Sequence, residues 1–229
     1  MHTGQALRDI YDRLLAHFGP QHWWPGETPF EVMVGAVLTQ NTNWTNVAKA
    51  IENLRRAAVL EPEALRAVPF DRLAQLIKPA GYFRVKARRV LNLLQWLDRE
   101  FDGDLDRMFA TPADELRERL LAVSGIGPET CDSILLYAGK IATFVVDAYT
   151  CRVLVRHGLV APEEVTYDEV KMLFEEHLER DAPQFNEYHA LLVAVGKEYC
   201  RPRPRCLAGC PLEAMLAPDA AVREEAAAQ

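Results

Sequence analysis

The sequence predicts an all-α chain built from many short helices, not a four-helix bundle. Three observations carry this expectation. Apolar residues recur at helical spacing along most of the chain. Breakers cut that periodicity into short runs, at Pro20, Pro25-Gly26, Pro79-Ala80-Gly81, Gly103, Gly125, Gly127, Gly139 and Gly158. The best strand candidate, Phe144-Val145-Val146, is too isolated to make a sheet. With 229 residues and 49% apolar content, the chain can bury a real core.

Taken in order, residues 5–17 place Leu7, Ile10, Tyr11, Leu14 and Leu15 on one face, the first helix. Pro29 suits a helix start, and the apolar run Phe30 to Leu38 reads as a buried helix because no hairpin turns flank it. Further helical patterns cover residues 44–57, 62–67, 70–78, 84–101, 112–121, 128–138, 148–157, 167–179 and 184–198. The tail from Pro218 to Gln229 is Ala/Glu-rich and is expected to fray.

Net charge is −7, which argues mildly against a nucleic-acid partner, but clustering matters more than the total. Lys78, Arg84, Lys86, Arg88 and Arg89 form one basic run, and Lys197, Arg201, Arg203 and Arg205 form another. They read either as a nucleic-acid face or as ordinary solvated helix surface. No apolar run is long enough to span a membrane, and residues 1–5 carry no leader pattern. A soluble, cytoplasmic chain is the expectation, most simply a monomer.

The most informative stretch is residues 114–138. Two helical segments flank Ser124-Gly125-Ile126-Gly127, and Pro128 opens the second. Glycine permits positive φ and leaves backbone N–H groups uncovered, while Ile126 can plug the groove between the helices. A helix N-terminus beside bare amides is an anion site suited to a phosphate. Asp147 follows Phe144-Val145-Val146 and precedes a new helical run, so it falls at an N-cap. By itself that position asks for nothing beyond capping.

The pattern from Val123 to Cys131, followed about twenty residues later by Val145-Val146-Asp147, resembles the signature of the endonuclease III superfamily of DNA glycosylases. It is most similar to the branch holding 3-methyladenine and methylpurine glycosylases. Leu38-Thr39-Gln40-Asn41-Thr42 and Pro79-Ala80-Gly81-Tyr82-Phe83-Arg84-Val85-Lys86 add to the likeness, which covers residues 20–212. The resemblance implies an endonuclease III-like, two-lobed helical fold. Its expected parts are residues 1–27 contributing to the second lobe, a six-helix lobe over 28–135 ending in the helix-hairpin-helix (114–138), a second lobe over 136–212 and a tail over 213–229.

The resemblance also implies roles. Asp147 becomes the catalytic carboxylate, stabilising oxocarbenium character on the sugar and orienting water. The partner is double-stranded DNA with a damaged base turned out of the stack. Family members that also cut the strand use a lysine two residues past the hairpin; Glu129 stands there and cannot form a Schiff base. A monofunctional enzyme acting on an alkylated purine is therefore expected. Trp23, Trp24 and Trp44, with Glu129, would line its base pocket, where aromatic faces favour a cationic purine. The tryptophans read equally as core or lid residues, and Glu129 as a favourable acid in a first helical turn. Gln40 would fill the gap left by the flipped nucleotide, and Tyr82 would wedge between bases unless it simply packs in the core. Lys86, Arg88 and Arg89 are candidate phosphate contacts, with Gly125, Ile126 and Gly127 of the hairpin. Two alternatives stay open: a glycosylase for oxidised or mismatched pyrimidines, and a non-catalytic DNA-binding module.

Cys200, Cys206 and Cys210 crowd near the C-terminus, while Cys131 and Cys151 sit in apolar helical patterns. An odd number makes a disulfide framework unattractive. The family often holds a 4Fe–4S cluster here through four cysteines with six, two and five residues between them. This chain has five between the first pair and three between the second, and Leu216 occupies the fourth position. A cluster with an incomplete ligand set, a zinc, or remnants of a lost site all remain open. His189, about 16 Å up a helix from Cys200, is a poor fourth ligand.

Overall fold

The computed structural model describes residues 3–161, 166–203, 205–206 and 209–216. The tail Pro218 to Gln229 lies outside the described residues. The α-helices are α1 (Thr3–Phe18), α2 (Pro29–Thr39), α3 (Trp44–Arg56), α4 (Pro62–Arg66), α5 (Phe70–Leu76), α6 (Phe83–Phe101), α7 (Leu105–Phe109), α8 (Ala113–Leu121), α9 (Pro128–Ser133), α10 (Ala148–Arg156), α11 (Tyr167–His177) and α12 (Ala182–Glu198). Short 3-10 turns cover Lys78–Ala80 and Glu213–Met215. No strand occurs among the described residues, and Phe144-Val145-Val146 runs as a buried connector.

The chain divides into two compact units, Trp24–Ile141 and a discontinuous one formed by Met1–Trp23 with Ala142–Gln229. In the first, α2 is the central helix. Every residue from Phe30 to Leu38 is buried, which explains why its sequence is apolar all round. Thr28 caps it, its hydroxyl accepting from the Glu31 N–H at 3.2 Å, and Pro29 occupies the first position. Buried Glu31 is neutralised by Arg55 of α3 through Nη2 bonds of 2.7 and 2.9 Å.

The other unit is built around Phe144. Its ring stacks on Phe174 of α11 at 3.7 Å and meets Phe185 and Tyr188 of α12 edge-on. The two edge contacts are of the kind that aromatic quadrupoles favour. The Tyr188 hydroxyl donates to the Leu7 carbonyl of α1 at 2.7 Å, so the N-terminal helix completes this core.

The predicted single helix over 128–138 is two kinds of turn. Beyond Ser133, residues Ile134–Ala138 widen into a π-helical turn, closed by the Gly139 N–H donating to the Ile134 carbonyl at 3.1 Å. Single π turns of this kind concentrate at functional sites.

Candidate active site

Asp147 caps α10 with extended backbone (φ −128°). Its Oδ1 accepts from the Thr150 N–H at 2.8 Å and the Thr150 hydroxyl at 3.0 Å. The second oxygen faces His189 of α12, whose Nε2 lies 3.6 Å away. Burial pushes the Asp147 carboxyl up, but His189 and the two Thr150 bonds outweigh it and hold the group below the ordinary carboxylate value. The side chain keeps 13% exposure. The result is an ionised carboxylate with one oxygen committed to the cap and the other beside an imidazole. His189 carries no local signal for this role, because it lies 42 residues further along the chain.

What brings α10 against α12 is a small residue. Gly196 is two helical turns beyond His189, on the same face. The Tyr149 ring covers it so closely that an added Cβ would lie 2.3 Å from Tyr149 Cδ1. Tyr149 is in turn capped by the Arg152 guanidinium at 5.1 Å.

In the Trp24–Ile141 unit, the hairpin joins α8 to α9. Asp132 is fully buried and takes a bidentate pair from Arg117 of α8, at 2.9 and 3.1 Å. Gly125 has φ +97°, and a Cβ there would fall 2.4 Å from Arg89 Cγ. The sequence argument for positive φ therefore holds at Gly125 and not at Gly127, whose φ is −96°. Ile126 is buried, as a plug should be, and its N–H donates to the Val123 carbonyl at 3.0 Å. Its amide is therefore not among the bare groups expected of the loop.

Gln40 sits just past α2 and is tied to this hairpin. Its Nε2 donates to the Gly125 carbonyl at 3.0 Å and the Thr130 hydroxyl at 2.9 Å, while its Oε1 accepts from Arg89. Tyr82 is 74% exposed with φ +43°, which removes the core-packing reading. Lys86 departs from expectation. It is buried, its ammonium donating to two backbone carbonyls, so it is not a surface phosphate contact. The basic spacing on α6 hid this, because sequence does not reveal which basic residue a helix turns inward. Arg88 lies over the Phe70 ring at 4.8 Å.

Trp24 lies 4.9 Å from Trp44, edge-on, and stacks on Tyr137 of the π turn at 5.0 Å. The buried Tyr137 was not anticipated. Trp23 belongs to the other unit, half-buried, with the Lys197 ammonium 5.9 Å from its ring. Glu129 is exposed in the first turn of α9.

Cys200, Cys206 and Cys210 are buried thiols, none in a disulfide. Arg156 of α10 reaches the Cys200 sulfur at 3.1 Å, and Arg152 donates to its carbonyl at 2.5 Å. Among the described residues no three Cys, His, Asp or Glu side chains gather as a metal site. Leu216 supplies no thiol at the fourth family position. This residue set does not fit a four-thiolate cluster.

The profile of the HhH-GPD superfamily base excision DNA repair proteins matches residues 34–180. The chain is 45% identical over 91% of its length to "Putative DNA repair glycosylase MJ1434" of Methanocaldococcus jannaschii, covering 94% of that protein. It is 31% identical to endonuclease III of Thermotoga maritima, over 78% of each chain. Among solved structures, H. pylori 3-methyladenine DNA glycosylase (MagIII) bound to 1,N6-ethenoadenine superposes with TM-score 0.74 and 28% identity, over 86% of this chain and 98% of that one. The chain therefore belongs to the HhH-GPD superfamily of base excision DNA repair proteins and is one of its DNA repair glycosylases. No helix among the described residues is long and apolar enough to cross a membrane.

Proposed function

We propose that this chain is a monofunctional glycosylase that hydrolyses the N-glycosidic bond of an alkylated purine extruded from double-stranded DNA, leaving an abasic site. The observation that carries the reading is the setting of Asp147, whose Oδ1 is held by Thr150 and whose Oδ2 faces His189, contacts that keep its carboxyl below the ordinary carboxylate value. As the bond to the base lengthens, positive charge develops on the deoxyribose, and a fixed anion stabilises that state more than the ground state. The same carboxylate orients water towards the anomeric carbon and takes up a proton as the water adds. A cationic alkylpurine departs as a neutral base, so no strong general acid is required.

The choice of base rests on aromatic faces. Trp24 and Trp44, with Tyr137 behind, offer π surface to a flat cation, an attraction of about 0.5–2 kcal/mol. Glu129, in the same unit, completes the proposed set. Likeness to MagIII supports the alkylpurine class. Glu129 at the lyase lysine position supports hydrolysis without strand cleavage. Gln40 fills the vacated stack, Tyr82 wedges it open, and the hairpin about Gly125 grips a strand phosphate through backbone.

The test is excision from duplexes carrying 3-methyladenine, 7-methylguanine, an oxidised pyrimidine or a mismatched thymine. Release of the alkylpurines, with Asp147→Asn slower by roughly 10²–10⁴-fold, is expected. Full activity in Asp147→Asn would overturn the mechanism, and a borohydride-trapped adduct would overturn the monofunctional assignment. A second reading keeps the chemistry and changes the base to an oxidised or mismatched pyrimidine; the 31% identity to endonuclease III favours it. Exclusive release of those pyrimidines would replace the first reading.

A further inference from the structure

Lys86 stands in the first turn of α6 at 2% exposure. Burial, and secondarily the neighbouring Arg89, push its ammonium down to about 8. Its Nζ donates to the Leu38 carbonyl at 2.8 Å and the Ala80 carbonyl at 2.7 Å. Leu38 lies in the last turn of α2, and Ala80 closes the 3-10 turn at Lys78–Ala80. Carbonyls at such ends lack partners in their own helix and favour a cation.

Each carbonyl lies two residues before a side chain assigned above to DNA, Gln40 after Leu38 and Tyr82 after Ala80. Tyr82 also holds a left-handed backbone at φ +43°, a conformation that persists in a tyrosine only when its surroundings impose it. Gln40 leaves α2 with ψ 118°, a sharp departure from helix. Two unusual backbone exits are thus anchored to one ammonium.

We propose that Lys86 is a positioning residue: a single buried cation locks the two loops that carry Gln40 and Tyr82, so that the gap-filling and wedging side chains meet the duplex as a pre-formed pair. This rests on the assignment of those two side chains to DNA. Unstacking a base costs a few kcal/mol. Loops that had to order themselves at the moment of contact would add to that barrier, whereas a pre-set pair does not. The chemistry at the sugar is untouched, because Lys86 reaches no reacting atom.

Two readouts test the proposal on full-length protein. One needs no catalysis: the rise in 2-aminopurine fluorescence when the protein engages a duplex holding that base beside a tetrahydrofuran abasic analogue. The other is single-turnover excision of 7-methylguanine, a cationic alkylpurine, from a full duplex and from a bulge, where the base is already unstacked. Lys86→Met should keep its circular dichroism and its affinity for undamaged duplex. It should lose most of the fluorescence rise and slow duplex excision on the order of 10²-fold, while bulge excision stays near the wild-type rate. Should Lys86→Met not fold, Lys86→Gln, which still donates to one carbonyl, is read the same way with a smaller duplex defect. Equal slowing on duplex and bulge, or none on either, overturns the proposal. A wild-type protein that excises none of the bases, yet gives a Lys86-dependent fluorescence rise, sinks the functional reading and leaves this inference standing. Wild-type excision that shows no split between duplex and bulge in the variants sinks the inference alone.

Discussion

At position 147 one carboxylate serves structure and chemistry through different oxygens. Oδ1 satisfies the first turn of α10, and Oδ2 faces His189. The pair makes a pH prediction whose sign is set by the depressed carboxyl. Activity should hold as pH falls below neutral and fail only when Asp147 takes up a proton, below the ordinary carboxylate value. Replacing His189 by Gln removes the attraction that lowers the group while leaving its burial. The acidic limb of the rate profile should then move to higher pH, measured as single-turnover rate against pH. A limb that stays in place would show that His189 has no hold on the carboxylate. Asp147→Asn keeps an oxygen for the cap but no charge, so it should lose rate and keep the fold.

Two helix pairs decide whether those residues meet their partners. Tyr149 crowds Gly196: a Cβ added there would lie 2.7 Å from Tyr149 Cβ and Cγ as well as 2.3 Å from Cδ1. The ring cannot simply swing aside. Gly196→Ala should therefore push the start of α10 from α12, costing about 1–3 kcal/mol in chemical denaturation and lowering excision with it. In the hairpin, the Arg117–Asp132 pair ties α8 to α9 with a carboxylate that has no solvent exposure. Arg117→Met leaves that charge buried without its guanidinium and should destabilise by roughly 3–5 kcal/mol, read from the denaturation midpoint. The element boundaries themselves were mostly legible. Thr28-Pro29 before an apolar run, and Asp147 three residues before Thr150, are signals carried within one turn of chain. The π turn was not legible, because the residues 134–138 are apolar and read as any buried helix would.

Across the whole molecule, the chain leaves one unit at residue 23 and returns at 142, so the unit that holds Asp147 is assembled from two separate stretches of chain. Leu7, Ile10 and Leu14 of α1 are fully buried there. Each such side chain contributes about 1.5–3 kcal/mol on burial, and together they rival the stability of a typical domain. Deleting residues 3–18 should strip protection from residues 142–216 while 24–141 stays protected, measured by amide hydrogen exchange. Uniform protection in the truncated chain would contradict the role given to α1.

The sequence by itself determined what short stretches of backbone decide: where helices start and stop, the Gly-Ile-Gly hairpin, the cap at Asp147 and the family these spell out together. Helical period, capping and positive φ act over a few residues, so local order suffices to read them. Tertiary structure alone decided that His189 would stand beside Asp147, that Tyr137 would underlie Trp24, and that Lys86 would turn inward to two carbonyls. Those outcomes depend on which distant segment covers a side chain, and burial by a partner far along the chain leaves no local trace in the residues it selects.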